Sequence, residues 1–130
     1  MSASPLKALG IAPSITASDL KKSMHFYIDG LGFEITEKHE ADGVIQFVML
    51  KAGGASLGLG QDDFAKGRNR TKGVGQRLWI STKQDLTELA NRVKAAGIML
   101  DNDPKRLEWG PMGFALTDPD GFMITIVSDV

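Results

Sequence analysis

The sequence predicts an α+β fold: two tandem β-α-β-β-β modules in a single domain spanning residues 1–130. Three observations carry that prediction. The first is self-similarity, which decides a repeat architecture before any local feature does. Asp19-Leu20 opens a helical pattern and Asp85-Leu86 opens another 66 residues later, while Gly32 and Gly97, which end the two patterns, lie 65 apart. Further on, Phe47 and Phe114, Gly54 and Gly121, and Gly58 and Thr125 each lie 67 apart. The second observation is that each unit holds one amphipathic helical stripe. The third is that hairpin and turn signals separate the apolar runs that follow it. Module one covers about residues 8–61, a linker about 62–75, and module two about 76–130.

In module one, residues 11–17 read as a short strand, and Asp19 suits an N-cap because its carboxylate accepts amide hydrogens of the first helical turn. Leu20, Met24, Tyr27 and Leu31 recur at helical spacing as a core stripe, with Lys21, Lys22, His25 and Asp29 on the other face. Gly30 and Gly32 stop the helix. Strands are expected at 33–40, 44–50 and 56–60, joined by Asp42-Gly43 and Gly53-Gly54, where tight turns demand positive φ. Module two repeats the order with a strand at 78–81, a helix at 85–96 carrying Leu86, Leu89, Ala90 and Val93, and strands at 98–102, 114–117 and 122–128. Asp118-Pro119-Asp120-Gly121 makes the last turn. One helix per four-stranded sheet covers one face only. Two such sheets facing each other would enclose a cavity.

Composition narrows the function. A chain of 130 residues can bury a core without staples, and the absence of Cys excludes disulfides and thiolate metal sites and points to the cytoplasm. No run approaches the roughly 20 apolar residues of a membrane-spanning helix, so no membrane association is expected. A net charge of −1 offers no global field for nucleic acid. Lys66, Arg68, Arg70 and Lys72 form one basic stretch, read as a solvated loop with an anion-attracting rim as the alternative. Nucleophile elbows and phosphate-cradling loops are absent.

The stretch Ser23, Phe26-Tyr27 and Leu31-Gly32-Phe33, followed by Trp109-Gly110, Phe114 and Asp118-Pro119-Asp120-Gly121, resembles the signatures of the vicinal oxygen chelate superfamily. Glyoxalases, bleomycin-resistance proteins and ring-cleaving dioxygenases belong to it, and the resemblance covers essentially the whole chain. It implies two curved sheets forming a ligand cleft, a homodimer, and in many relatives a divalent metal. The metal-ligand positions carry over onto Ala12 and Gly58 in module one, and onto Arg77 (Gln76 if the register slips by one) and Thr125 in module two. Ala and Gly offer no donor atom, Arg does not deprotonate, and Thr alone is a poor ligand. The expectation is therefore a protein with no metal, no other cofactor and no assigned catalytic residue.

Strand alternation places Trp79 on the face of Arg77, with Ser14 as its module-one counterpart beside Ala12. If the repeat alignment holds, Ala12, Ser14, Gly58, Arg77, Trp79 and Thr125 converge on the cleft; the competing reading makes Trp79 a core residue. Trp109 closes one end of the cleft in relatives. Phe26, Tyr27, Phe33 and Phe122 read as core, and His25 as a surface residue. His39 shares a strand face with Glu37, either as an exposed charge pair or as a metal or acid–base pair. The preferred function is metal-independent binding of a small, partly aromatic or anionic molecule, in the manner of bleomycin-resistance sequestration. The alternative is a lyase, isomerase or dioxygenase whose metal has moved to Glu37, His39 or Glu108.

Overall fold

The computed structural model describes residues 4–108 and 110–129. Module one consists of β1 (Ser14–Ala17), α1 (Leu20–Met24), a π-helical segment (His25–Gly30), β2 (Glu34–Ala41), β3 (Val44–Ala52) and β4 (Ala55–Gln61). Module two consists of β5 (Arg77–Thr82), α2 (Leu86–Ala95), β6 (Asn102–Arg106), β7 (Met112–Thr117) and β8 (Met123–Ser128). The expected β-α-β-β-β order appears twice. Each module forms its own four-stranded mixed sheet, ordered β1-β4-β3-β2 and β5-β8-β7-β6, with the first and last strands of each module parallel and the other pairs antiparallel.

The local chemistry behaves as the sequence dictates at the helix starts. The Asp19 carboxylate accepts from the amides of Lys21 and Lys22, and Asp85 accepts from those of Thr87 and Glu88. The β2–β3 hairpin turns through Asp42 at φ 53° and Gly43 at φ 77°, the two positive angles that a two-residue hairpin loop requires.

Three features depart most from the expectation. The first strand begins at Ser14 rather than at 11, and Ile11 is exposed. The expected strand at 98–102 begins at Asn102, because Ile98 and Leu100 pack on the core instead of pairing. The first helix changes winding after Met24. Its buried residues are Leu20, Ser23, Phe26, Tyr27 and Gly30, while Met24 and Leu31 are only partly buried. The wider π-helical turn brings Phe26 and Tyr27 together onto the core, and Gly30 accommodates Ile98, whose Cδ1 lies 2.6 Å from where a Cβ on Gly30 would stand.

One continuous core joins the modules. Val48, Leu50, Leu57 and Leu59 line one face of the first sheet, and Phe114, Leu116, Ile124 and Ile126 line one face of the second, with Leu86, Ala90 and Val93 of α2 packed among them. Each of the larger side chains among them contributes about 1.5–3 kcal/mol on burial. Phe26, Tyr27, Phe33 and Phe122 are buried as expected. Polar ties cross the junction: the Tyr27 hydroxyl donates to Asp118 at 2.9 Å, and the Ser18 amide donates to Asp120 at 3.0 Å. Burial, together with the neighbouring Asp118 carboxylate, holds the Tyr27 phenol far above its ordinary pKa. Burial also raises that of Asp118, against the hydrogen bonds from Phe122, Tyr27 and Asp120.

The basic stretch is not simply a solvated loop. The Lys72 side chain, 2% exposed, pairs with Asp62 at 3.1 Å and donates to the Ser18 hydroxyl at 2.9 Å, while Arg70 approaches Asp62 at 3.5 Å. Burial works to raise the Asp62 pKa, but Lys72, the Phe64 amide and Arg70 outweigh it and hold the carboxyl below its ordinary value. Arg68 stacks over Phe64 with its guanidinium carbon 4.5 Å from the ring centre.

Two placements correct the repeat alignment and the cavity. Phe47 does not match Phe114 in role: Phe47 pairs with Gly60 on the outer face, whereas Phe114 pairs with Ile126 and is fully buried. The position equivalent to Phe47 is Gly113, which pairs with Val127. The two sheets of one chain also do not enclose a cavity between their outer faces. The extensive contacts between modules are helical, α2 against the π-helical segment, and Ser14, Arg77 and Trp79 on the outer faces are exposed.

Candidate ligand-binding site

The outer face of each sheet is set by strand parity. With Ile15 and Ala17 buried, Ser14 and Thr16 point the other way, and parallel pairing puts Ser14 beside Gly58. Ala12 lies two residues earlier, outside β1 and exposed. On the second sheet Trp79 pairs with Thr125, and Arg77 with Met123. Trp79 and Thr125 thus occupy the places of Ser14 and Gly58, which makes Arg77 rather than Gln76 the counterpart of Ala12. Trp79 is 52% exposed, which excludes the core reading.

Ser14 and Gly58 therefore come together on one sheet, and Arg77, Trp79 and Thr125 on the other; a single chain does not bring the two sets together. Trp109 lies outside the described residues. Leu107 covers part of the second outer face, with its Cδ1 2.9 Å from the Cβ position of Gly113. Trp79 also borders a groove of about 640 Å³ at the module junction, lined as well by Arg92, Gln84 and the Gly53-Gly54 turn.

The divalent metal that the resemblance implies does not fit here. Gly58, Thr125, Arg77 and Ala12 supply at most one weak oxygen donor, where a divalent ion needs several. A side chain at position 58 would also collide with Phe47, whose Cζ lies 2.9 Å from the Cβ position, with the Ser14 hydroxyl at 3.3 Å. Among the described residues no group of three or more His, Asp or Glu side chains gathers as it would around a metal ion. Glu37 and His39 approach to 3.9 Å with both side chains about two-thirds exposed.

Sequence reasoning missed Phe47. Its ring lies over Gly58 and within 3.6 Å of the Cβ position of Gly60, on the face that carries Ser14. The signal was available in the alternation of β3, where Val48 and Leu50 are the apolar pair facing inward and Phe47 and Met49 fall on the opposite parity. His25 was read as a plain surface residue; it bonds Asp29 at 2.7 Å and the Ala96 carbonyl at 2.8 Å, tying the first helix to the end of α2.

Duplicated mixed sheets, each with a helix packed on one face, define a paired β-α-β-β-β protein. A family model described as Glyoxalase/Bleomycin resistance protein/Dioxygenase superfamily matches residues 10–126, and the chain belongs to that superfamily. A bleomycin resistance protein of Geobacillus stearothermophilus is 26% identical over 91% of this chain and 95% of its own length. Among solved structures, TioX from Micromonospora sp. ML1 superposes with a TM-score of 0.77 at 16% identity, covering 95% of this chain and 100% of its own. A superfamily member from Sphaerobacter thermophilus superposes with a TM-score of 0.72 at 24% identity, covering 95% and 98%. These structural likenesses establish the fold.

Proposed function

We propose that this chain is a metal-independent, cytoplasmic binding protein that sequesters a small, planar, anionic or partly aromatic molecule, acting as a homodimer. The observation that carries the reading is the outer face of the second sheet, where half-exposed Trp79 stands in register with Thr125 and shares a face with Arg77. An indole offers a flat stacking surface and a guanidinium a fixed cation, at a place where the fold otherwise supplies metal donors. Ser14 and Gly58 form the small-residue wall contributed by the first sheet, with Ala12 on the segment leading into it, and Trp109 a candidate end wall. Likeness to bleomycin resistance proteins over nearly the full chain supports sequestration rather than turnover.

Titration with bleomycin and with a naphthalene sulfonate, followed by tryptophan fluorescence, tests the reading. Quenching is expected, and Trp79→Phe removes most of it without unfolding the protein. Arg77→Ala weakens binding by about 1.5–3 kcal/mol, the worth of a hydrogen bond to a charged partner. Stoichiometric Zn, Ni, Mn or Fe retained through dialysis of untagged protein would instead favour a metal-dependent lyase, isomerase or dioxygenase.

A further inference from the structure

We infer that Phe47 is a ligand-stacking residue of the first sheet, seated on Gly58 and Gly60, and that it makes the site selective for flat aromatic groups over aliphatic anions. The inference rests on the ligand-binding reading above and extends it to the sheet opposite in role to the Trp79 face.

Phe47 sits in the middle of β3, and its partner across the antiparallel ladder is Gly60. An interior strand position is a poor place for glycine, because glycine weakens a strand and marks a close approach by another group. Here β4 carries two glycines at alternate positions, 58 and 60, on the one face, and the approaching group is the Phe47 ring: Cζ stands 2.9 Å and Cε2 3.2 Å from the Cβ position of Gly58, and Cδ2 3.6 Å from that of Gly60. The ring therefore reaches across both glycines, close over the backbone that a side chain would otherwise cover. Phe47 is neither buried in the core nor fully exposed. The His39 ring flanks it at 5.9 Å between centres, tilted by 50°. The equivalent position in module two is Gly113, where Leu107 fills the space, so at this position an aromatic ring in module one stands against an aliphatic side chain in module two.

A phenyl ring held close to the sheet beside Ser14 offers dispersion and quadrupole contact to a planar ring, and neither charge nor hydrogen bond to a compact anion. With Trp79 and Arg77 supplying the second aromatic wall and the cation, the ligand class narrows to a molecule with a flat aromatic portion and a separate negative group.

The test uses full-length protein and three probes: anilinonaphthalene sulfonate, bleomycin and the aliphatic octanesulfonate, with affinities from calorimetry and foldedness from melting curves. Phe47→Leu is expected to weaken the two aromatic probes roughly three- to tenfold while leaving octanesulfonate within about twofold; Phe47→Tyr retains wild-type affinity. Gly58→Ala leaves Phe47 in the chain but lifts its ring, so it should reproduce the Phe47→Leu loss, and the double variant should bind no worse than either single one. If Phe47→Leu or Gly58→Ala binds the aromatic probes as wild type does while Trp79→Phe abolishes quenching, the Phe47 inference is overturned and the ligand-binding reading stands. Equal losses for all three probes also overturn it, since they mark a packing role. If no probe binds wild-type protein, both readings fall.

Discussion

At the scale of single residues, glycine does more work here than its turns alone would suggest. The linker crosses the Asp118–Phe122 turn at Gly73, whose amide donates to the Asp120 carbonyl at 3.2 Å. A Cβ at position 73 would stand 2.1 Å from the Gly121 carbonyl carbon and 2.4 Å from the Phe122 amide nitrogen, both backbone atoms that cannot rotate away. Gly73→Ala should therefore destabilise the fold by about 3 kcal/mol, the upper range for overpacking, read as a lower urea midpoint. Gly75→Ala, three-dimensionally open but at φ 74°, serves as the comparison for backbone strain without collision. A Gly73→Ala midpoint no lower than that of Gly75→Ala would refute the crossing argument. Nothing in the linker's composition marks Gly73 as different from Gly67 or Gly75, because the collision partner lies 48 residues away along the sequence. Trp79 shows the opposite case. Parity with Arg77 is readable in the chain, and so its shared face was legible; whether that face was inward or outward was not, since this depends on which side the helix covers.

At the scale of elements, the start of each helix, the two hairpins of module one and the order of strands could be read from caps and turn residues, which act locally. What could not be read was the π-helical widening at His25–Gly30, because it answers to a tertiary demand: Gly30 must admit Ile98, and Phe26 and Tyr27 must both reach the core. The one-residue slip between Phe47 and Phe114 has a similar origin. The β3–β4 turn is shorter than the β7–β8 turn, so constant sequence spacing does not preserve strand parity. The widened segment also positions His25, whose two ring nitrogens face two acceptors, Asp29 and the Ala96 carbonyl. Only the doubly protonated ring donates to both. The Asp29 hydrogen bond first, then that to Ala96, raises the His25 pKa, against the small opposing effect of burial. Lys21 and Lys22 border the same surface groove. A histidine pKa raised by folding stabilises fully below its unfolded value of 6.5, and the contribution is lost as pH rises through the folded value. Thermal stability should thus fall modestly on going from slightly acid to mildly alkaline pH, and His25→Gln should flatten that slope. A slope unchanged in the variant would show that the clasp contributes nothing.

At the scale of the whole molecule, the two outer faces carry the argument. Within one chain the helices and the shared core lie between the modules, so the face with Ser14, Gly58 and Phe47 and the face with Arg77, Trp79 and Thr125 do not meet. Isolated, each face offers a ligand one wall, and a planar molecule held by one wall remains half in water. A second copy supplies the missing wall if module one of one protomer faces module two of its partner, an arrangement that two-fold symmetry repeats to give two equal sites. Large apolar side chains left exposed outside the sheet faces, Leu6, Leu9 and Ile11, sit on the segment leading into β1 and are suited to burial in such an interface. Light scattering at micromolar concentration should accordingly report twice the 14.0 kDa of one chain. Ligand binding should then depend on protein concentration, because dilution below the dimer dissociation constant separates Trp79 from Phe47. A monomer that binds the aromatic probes with the same affinity at every dilution would show that one wall suffices and that the two faces act independently.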